Sequence, residues 1–199
     1  MTRLILWRHG RTEWNLIGRF QGQLDVDLDE VGVAQADEAS HRVAAYEPDM
    51  IVSSDLRRAA RTAEPLSALV GKQVSHDVRL RERYFGTWQG LTMTEIQEKY
   101  PEDAERWARN ETIAEPSIER FGAVVDRVTK GFREAAARVG DGGTAVLVVH
   151  GAAARAGVVG LLGWPETMWS TLGVLGNCHV TELRHSSTLG WQLGAHNVA

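Results

Sequence analysis

The chain has 199 residues, a formal net charge of -4 and a charged fraction of 24%, a size that fits one domain with a substantial core. No stretch gathers Lys and Arg into a basic tail or stripe, which excludes nucleic acid as the expected partner, and no apolar run approaches the roughly 20 residues that span a bilayer. The opening residues enter a polar motif instead of a signal-peptide apolar stretch, and the one cysteine, Cys178, has no internal disulfide partner, so a cytoplasmic location is expected.

Arg3-Leu4-Ile5-Leu6-Trp7 is a short, mostly apolar run that stops at Arg8-His9-Gly10, the pattern of a buried strand with polar residues at its carboxyl end. Asp29 opens an alanine-rich helical pattern that runs to about residue 45. Met50-Ile51-Val52-Ser53 reads as a second buried strand, residues 55 to about 70 as a second helix, and the neighbourhood of Val74 as a short strand. Residues 144 to 149 form the longest β-branched apolar run and again end in a polar pair, His150-Gly151; a helix follows to Leu162, then late strands near Val180 and Trp191. This alternation predicts an α/β fold, a three-layer sandwich whose central sheet is largely parallel with helices on both faces. Between about residues 85 and 138 the pattern turns to helices and loops, a small mainly helical insertion expected to cap one edge of the sheet. The whole chain, 1–199, is expected to be one domain.

Ligands of open α/β sheets bind outside the carboxyl ends of the strands, and His9 and His150 both fall at such ends, each followed by glycine. A single histidine there is more often structural than catalytic; two at equivalent ends point to a site. The segment Arg8-His9-Gly10-Arg11-Thr12-Glu13-Trp14-Asn15 resembles the Arg-His-Gly motif of the histidine phosphatase superfamily, also called phosphoglycerate mutase-like. Arg19, Gln21-Gly22 and Asp25 follow at the family's spacing; Ser53-Ser54-Asp55-Leu56-Arg57-Arg58-Ala59 with Thr62-Ala63, Leu80-Arg81-Glu82 with Gly86 and Trp88-Gln89-Gly90, and Val149-His150-Gly151 match its later blocks in order.

The resemblance implies a metal-independent phosphomonoesterase that works through a covalent phosphohistidine. Phosphoryl transfer needs an in-line nucleophile, positive charge around the equatorial oxygens and a proton for the leaving alkoxide. His9 is the implied nucleophile, with a backbone carbonyl holding its other N–H. Arg8 and Arg58 carry over as guanidinium clamps on phosphate, His150 as a cationic donor to the transition state with the Gly151 amide beside it, Asn15 as a neutral donor, and Gln21 and Gly22 as further substrate contacts. Glu82 is the implied general acid, which then activates water. No cofactor and no metal are implied: His41, His76, His179, His185 and His196 lack zinc-site spacings, and Gly140-Asp141-Gly142-Gly143 lacks the Gly-Lys-Ser/Thr ending of a phosphate loop and reads as a turn. Arg57 and Arg61 read as surface charges, and Cys178 as a buried small hydrophobe.

The partner is therefore expected to be a small-molecule phosphate ester, and the cap is expected to select the alcohol. A cofactor-dependent phosphoglycerate mutase and a non-catalytic phosphate-binding module stay as alternatives; the first needs a longer cap insertion, the second the loss of nucleophile or acid. Related sequences act on sugar phosphates or glucosyl-phosphoglycerate, but segment 114–119 (Ala-Glu-Pro-Ser-Ile-Glu) departs from the family's Gly-Glu-Ser pattern, and Arg11 adds positive charge near the mouth. Trp14, Trp88 and Trp107, three of seven tryptophans, fall near the pocket-forming segments. Stacking faces there suggest an aromatic alcohol such as a flavin mononucleotide-like compound, unless the rings simply pack the core and cap. A homodimer through a sheet edge or an apolar helix face is left open.

Overall fold

The computed structural model describes residues 1–115 and 117–199, and within those the side chains of Glu166 and Thr167 are outside the description. Pro116, in the predicted cap segment 114–119, is outside the described residues. Strands β1 (Thr2–Arg8), β2 (Met50–Ser53), β3 (Val74–His76), β4 (Thr144–Val149), β5 (Val180–Ser186) and β6 (Gly190–Val198) form one sheet in the order β3-β2-β4-β1-β5-β6. The first four run parallel, and β5 and β6 add an antiparallel hairpin beside β1.

The apolar runs explain why β1 and β4 hold the centre. Leu4 and Leu6 face one layer together with Ala145, Leu147 and Val149, while Ile5 and Trp7 face the other with Val146 and Val148. Both faces of each strand are thus buried, which a continuous apolar run can satisfy and an alternating one cannot. Helices α2 (Glu30–Ala44) and α3 (Arg57–Val70) cover the second face, and α6 (Phe121–Val139) and α7 (Gly151–Leu162) the first. Asp29 caps α2 by accepting from the Gly32 amide at 2.7 Å, which fixes where the loop after His9 meets that helix.

Short helices α1 (Glu13–Leu16), α4 (Met93–Lys99) and α5 (Pro101–Ala108) lie outside the sandwich layers. Phe85, Trp88, Ile96, Ala104 and Ile118 make a separate small core with Phe20 and Trp107 packed against it. Of the segment predicted as an insertion, only the part before α6 packs around this core. Val124, Val128, Phe132 and Ala135, at helical spacing along α6, are buried against the sheet. No described helix is long and apolar enough to cross a membrane.

The α6 and α7 backbones approach closely because glycine stands at the crossing. A Cβ on Gly157 would fall on the Phe132 ring, and one on Gly160 on the Thr129 hydroxyl. Phe132 is fully buried and has no room to withdraw. Gly157→Ala is therefore expected to destabilise the protein by about 1–3 kcal/mol, read as a lowered thermal midpoint, and to lower turnover by shifting the start of α7; an unchanged midpoint would contradict this packing.

Candidate active site

The register of β1 and β4 builds the centre of the site. Arg8 pairs with Val149, so the residues that follow, His9 and His150, leave the sheet side by side, and the His9 amide donates to the Val149 carbonyl at 3.0 Å. Their ring centroids are 5.1 Å apart. His9 Nδ1 lies 2.7 Å from the Gly10 carbonyl. A carbonyl only accepts, so Nδ1 carries the proton and the Nε2 lone pair is left free to attack. The Gly10 amide in turn donates to Thr62 of α3 at 3.0 Å, holding the turn that carries the histidine.

Two guanidinium groups close on this pair. Arg58, in the first turn of α3, is fully buried and donates through its two Nη atoms to the carbonyls of Leu24 and Gly22 at 2.8 and 2.7 Å. Gly22 has φ +52°, and a Cβ there would fall on the Gln89 side chain, so this carbonyl cradle requires glycine. Arg8 is anchored by one bond, Nη1 to the Leu175 carbonyl at 2.5 Å. Glu82 approaches from the third side, accepting from the amides of Ala152 and Ala153, both at 3.1 Å, and from its neighbour Arg83 at 2.8 Å. The open amides of the α7 N-terminus suit a carboxylate. A Cβ placed on Gly151 would be 3.8 Å from Glu82 Oε2 and 3.9 Å from Arg8 Nε, so carboxyl and guanidinium converge on that one residue.

Four nitrogen atoms in this cluster are buried with no hydrogen-bond partner among the described residues: Arg8 Nε, Arg58 Nε, and both ring nitrogens of His150. Each buried group left unsatisfied costs about 1–3 kcal/mol, a substantial part of a total stability of about 5–15 kcal/mol. Such a concentration marks a place shaped for a ligand rich in acceptor oxygens. Burial pushes the Arg58 guanidinium down to about 10, with Glu82 and Asp25 opposing the shift, and burial likewise lowers Arg8. His9 is held well below its ordinary value of 6.5, first by burial and then by the charges of Arg58 and Arg8, which favours the neutral ring. His150 is lowered in the same way by burial, Arg58, His9 and Arg8. In the ligand-free protein burial and the two nearby arginines favour the neutral ring, which can offer one N–H; the expected cationic role concerns the phosphoryl-bound transition state, where a dianion faces the ring.

The other predicted site residues divide. Asn15 is brought to the cluster, its Oδ1 accepting from the Thr12 amide at 3.1 Å and from Asn177 Nδ2 at 3.3 Å, and its own side-chain nitrogen has no partner among the described residues. Gln21 is buried, and its Oε1 has no partner among the described residues. Gly22 acts by holding Arg58. Arg11 does not supply free charge, because it is paired with Asp29 at 2.8 Å. Trp88 is fully buried in the cap core, edge-on to Phe20 and Trp107, and offers no face to a ligand; Trp14 is half-buried over Gly90, and Trp107 lines a neighbouring cavity. Arg57 and Arg61 pair with Asp25 and Asp27 and tie down the loop that holds Arg58. The buried Cys178 thiol is pushed up to about 12 by burial and stays protonated.

Three residues of the site went unrecognised in the sequence. Arg127 of α6 donates to the carbonyls of Arg79, Arg81 and Glu82 at 2.7, 2.7 and 3.0 Å while pairing with Glu119 at 2.7 Å, so it fixes the chain that presents Glu82. Gln23 Nε2 also donates to the Glu82 carbonyl, at 3.1 Å. Asn177 Nδ2 donates to the His9 carbonyl at 2.9 Å. All three act on backbone carbonyls of distant segments, which leave no local pattern.

The family model of the histidine phosphatase superfamily (branch 1) matches residues 4–198. The chain is 40% identical to glucosyl-3-phosphoglycerate phosphatase of Mycolicibacterium vanbaalenii over 91% of this chain and 83% of that one. It is 38% identical to phosphoserine phosphatase 1 of Hydrogenobacter thermophilus over 82% of this chain and 77% of the other. Among solved structures, mycobacterial glucosyl-3-phosphoglycerate phosphatase in complex with VO3 superposes with a TM-score of 0.91 at 37% identity, covering 99% of both chains. Phosphoserine phosphatase of Entamoeba histolytica in complex with 3-phosphoglyceric acid gives 0.87 at 29% identity, covering 100% of this chain and 98% of that one.

The two depressed histidines make stability pH-dependent with a definite sign. Below about 6.5 the unfolded chain protonates these imidazoles while the folded state resists. Their contribution is complete above about pH 6.5 and is lost as the pH falls from there; the lowered carboxylates, among them Asp55, Asp77 and Glu119, act only below the ordinary 3.8 to 4.5 range. Denaturant midpoints measured from pH 8 to pH 5 are expected to hold steady and then fall below about pH 6.5; an unchanged midpoint across pH 5 to 6.5 would contradict two neutral buried imidazoles.

Proposed function

The chain belongs to the histidine phosphatase superfamily, and on that footing we propose that it is a metal-independent phosphomonoesterase that hydrolyses a small-molecule phosphate ester through a covalent phosphohistidine on His9. The observation that carries this reading is the cluster of buried, partnerless nitrogens of Arg8, Arg58 and His150 around a neutral His9. A phosphoryl group supplies the acceptor oxygens those nitrogens lack, and its phosphorus then faces the free lone pair of His9.

In the first half-reaction His9 Nε2 bonds to phosphorus as the ester P–O bond breaks. The departing alkoxide takes a proton from Glu82. Arg8, Arg58, the His150 N–H and the Gly151 amide spread the charge on the equatorial oxygens. In the second, the Glu82 carboxylate takes a proton from water, the hydroxyl oxygen bonds to phosphorus, and the P–N bond returns its electron pair to Nε2. Glu82 and His9 end as they began. Asn15 adds a neutral donor to the same oxygens.

For the alcohol, a sugar phosphate or a glucosyl-phosphoglycerate is the better supported choice. The relatives that match over most of this chain are named for glucosyl-3-phosphoglycerate and for phosphoserine. The flavin-like alcohol loses its support, because Trp88 is spent inside the cap core.

Brief mixing with a ³²P-labelled ester and quenching in alkali is expected to trap label on His9, and none in His9→Ala; an unlabelled wild type that still binds phosphate would favour a non-catalytic binding module. Glu82→Gln is expected to slow alkyl phosphates by roughly 10²–10⁴-fold, and p-nitrophenyl phosphate far less, because p-nitrophenolate departs without a proton. Equal losses on both would remove Glu82 from the acid role.

A further inference from the structure

Arg58 is aimed by two carbonyls, but Arg8 by one: its guanidinium makes a single hydrogen bond among the described residues, from Nη1 to the Leu175 carbonyl at 2.5 Å. The direction of one of the two phosphate clamps thus depends on a single peptide unit, the one joining Leu175 to Gly176. The segment around it, Leu172 to Asn177, contains both Gly173 and Gly176 and leads into β5. Glycine admits more than one φ region, so a peptide beside it turns over easily. The carbonyl that aims Arg8 therefore needs holding from outside its own loop.

Strand β6, at the edge of the sheet, supplies that hold. Asn197 Oδ1 accepts from the Gly176 amide at 2.7 Å, and that N–H belongs to the same peptide whose carbonyl receives Arg8. A trans peptide is planar, with N–H and C=O pointing in opposite directions, and none of the described peptides is cis. Asn197 on one side and Arg8 on the other thus fix one plate between them. Hydrogen bonds at the two ends of a peptide also polarise each other, which strengthens both. The Asn197 side chain is itself set by His179, whose Nδ1 donates to Oδ1 at 3.0 Å. One residue earlier, His196 Nε2 donates to the Gly173 carbonyl at 3.0 Å and holds the start of the same segment.

Consecutive residues of a regular strand point to opposite faces, yet His196 and Asn197 both reach this one segment. They can because β6 bulges here: between the pairs Val180–Val198 and Glu182–Ala195, His196 and Asn197 together face the single residue Thr181. Asn197 has φ +57°, the left-handed conformation that asparagine tolerates better than most other side chains. Bulges re-aim side chains that regular pairing would send elsewhere. The ladder of β5 and β6 is interrupted where β6 touches the loop behind Arg8.

We infer that Asn197 is a positioning residue for phosphoryl transfer, acting through the Leu175–Gly176 peptide to aim the Arg8 guanidinium, with His196 holding the loop and His179 the asparagine. This rests on the phosphomonoesterase reading and extends its machinery from the centre of the sheet to the edge strand.

Asn197→Gly keeps the backbone conformation and removes the acceptor; Asn197→Asp restores an acceptor. On p-nitrophenyl phosphate, kcat/KM is expected to fall about 3- to 10-fold in Asn197→Gly, the value of one hydrogen bond. Orthovanadate, which mimics five-coordinate phosphorus, is expected to bind more weakly by a similar factor, and Asn197→Asp to recover most of both losses. The comparison with Arg8→Ala shows through which group the asparagine acts: in that background Asn197→Gly is expected to change kcat/KM by less than about 2-fold, because the guanidinium it aims is gone. Should Arg8→Ala fail to fold, Arg8→Gln completes the cycle. A loss of equal size in both backgrounds, no loss in either, or a loss that Asn197→Asp does not reduce overturns the positioning role. Labelling of His9 is scored in the wild type: label together with a kcat/KM indifferent to Asn197 defeats the positioning role alone, whereas no label defeats the phosphatase reading on which it rests.

Discussion

The parallel register of β1 and β4, with Arg8 opposite Val149, is the constraint on which the site depends. It delivers two histidines from neighbouring strand ends, 5.1 Å apart between ring centroids, without any loop having to bring them together. The register itself is maintained by burial on both faces: sliding one strand by a single residue would exchange Leu4 and Leu6 with Ile5 and Trp7 between two differently packed layers. The proposed nucleophile, His9, is thus placed by the most buried part of the fold, where positional error is small.

The remaining groups reach this pair from segments held in other ways. Arg58 comes with α3 and is aimed by the carbonyls of Leu24 and Gly22. Glu82 comes from a loop and is tethered twice, by the α7 amides at its carboxylate and by Arg127 and Gln23 at its carbonyl. Since α7 begins directly after His150, the amides that hold Glu82 and the histidine beside the nucleophile move together. A shift of α7 against α6 would disturb both at once, which explains the glycine-dense contact between those helices. On the proposed reading the labour divides: sheet and helices hold the groups for phosphoryl chemistry, while the cap side would meet the alcohol.

Much of this was legible from the sequence. The uninterrupted apolar runs before His9 and His150 announced central strands because full burial leaves no polar position to mask the pattern. The family blocks then assigned Arg58 and Glu82. What escaped has a common physical cause, namely dependence on partners far along the chain. Arg11 looked like free charge until Asp29, 18 residues on, was seen to pair with it; Arg127, Asn177 and Gln23 bind backbone carbonyls, which carry no sequence signature. Trp88 looked accessible because neighbourhood in sequence says nothing about which side of a small core a ring occupies. Helix α6 looked like part of the cap because helical spacing shows an apolar face but not the layer that face meets.

The central claim is that the partnerless buried nitrogens are a preformed phosphoryl site, maintained at a cost in stability. His150 tests it most directly, since neither ring nitrogen has a partner among the described residues. Thermal unfolding of wild type and His150→Leu, each with and without saturating inorganic phosphate, separates the two effects. If the account holds, the ligand-free variant melts at or above the wild-type temperature, and the rise that phosphate gives to wild type is largely lost. A ligand-free variant that melts well below wild type yet keeps the full phosphate-induced rise would contradict it, making His150 a structural residue and placing the anion elsewhere.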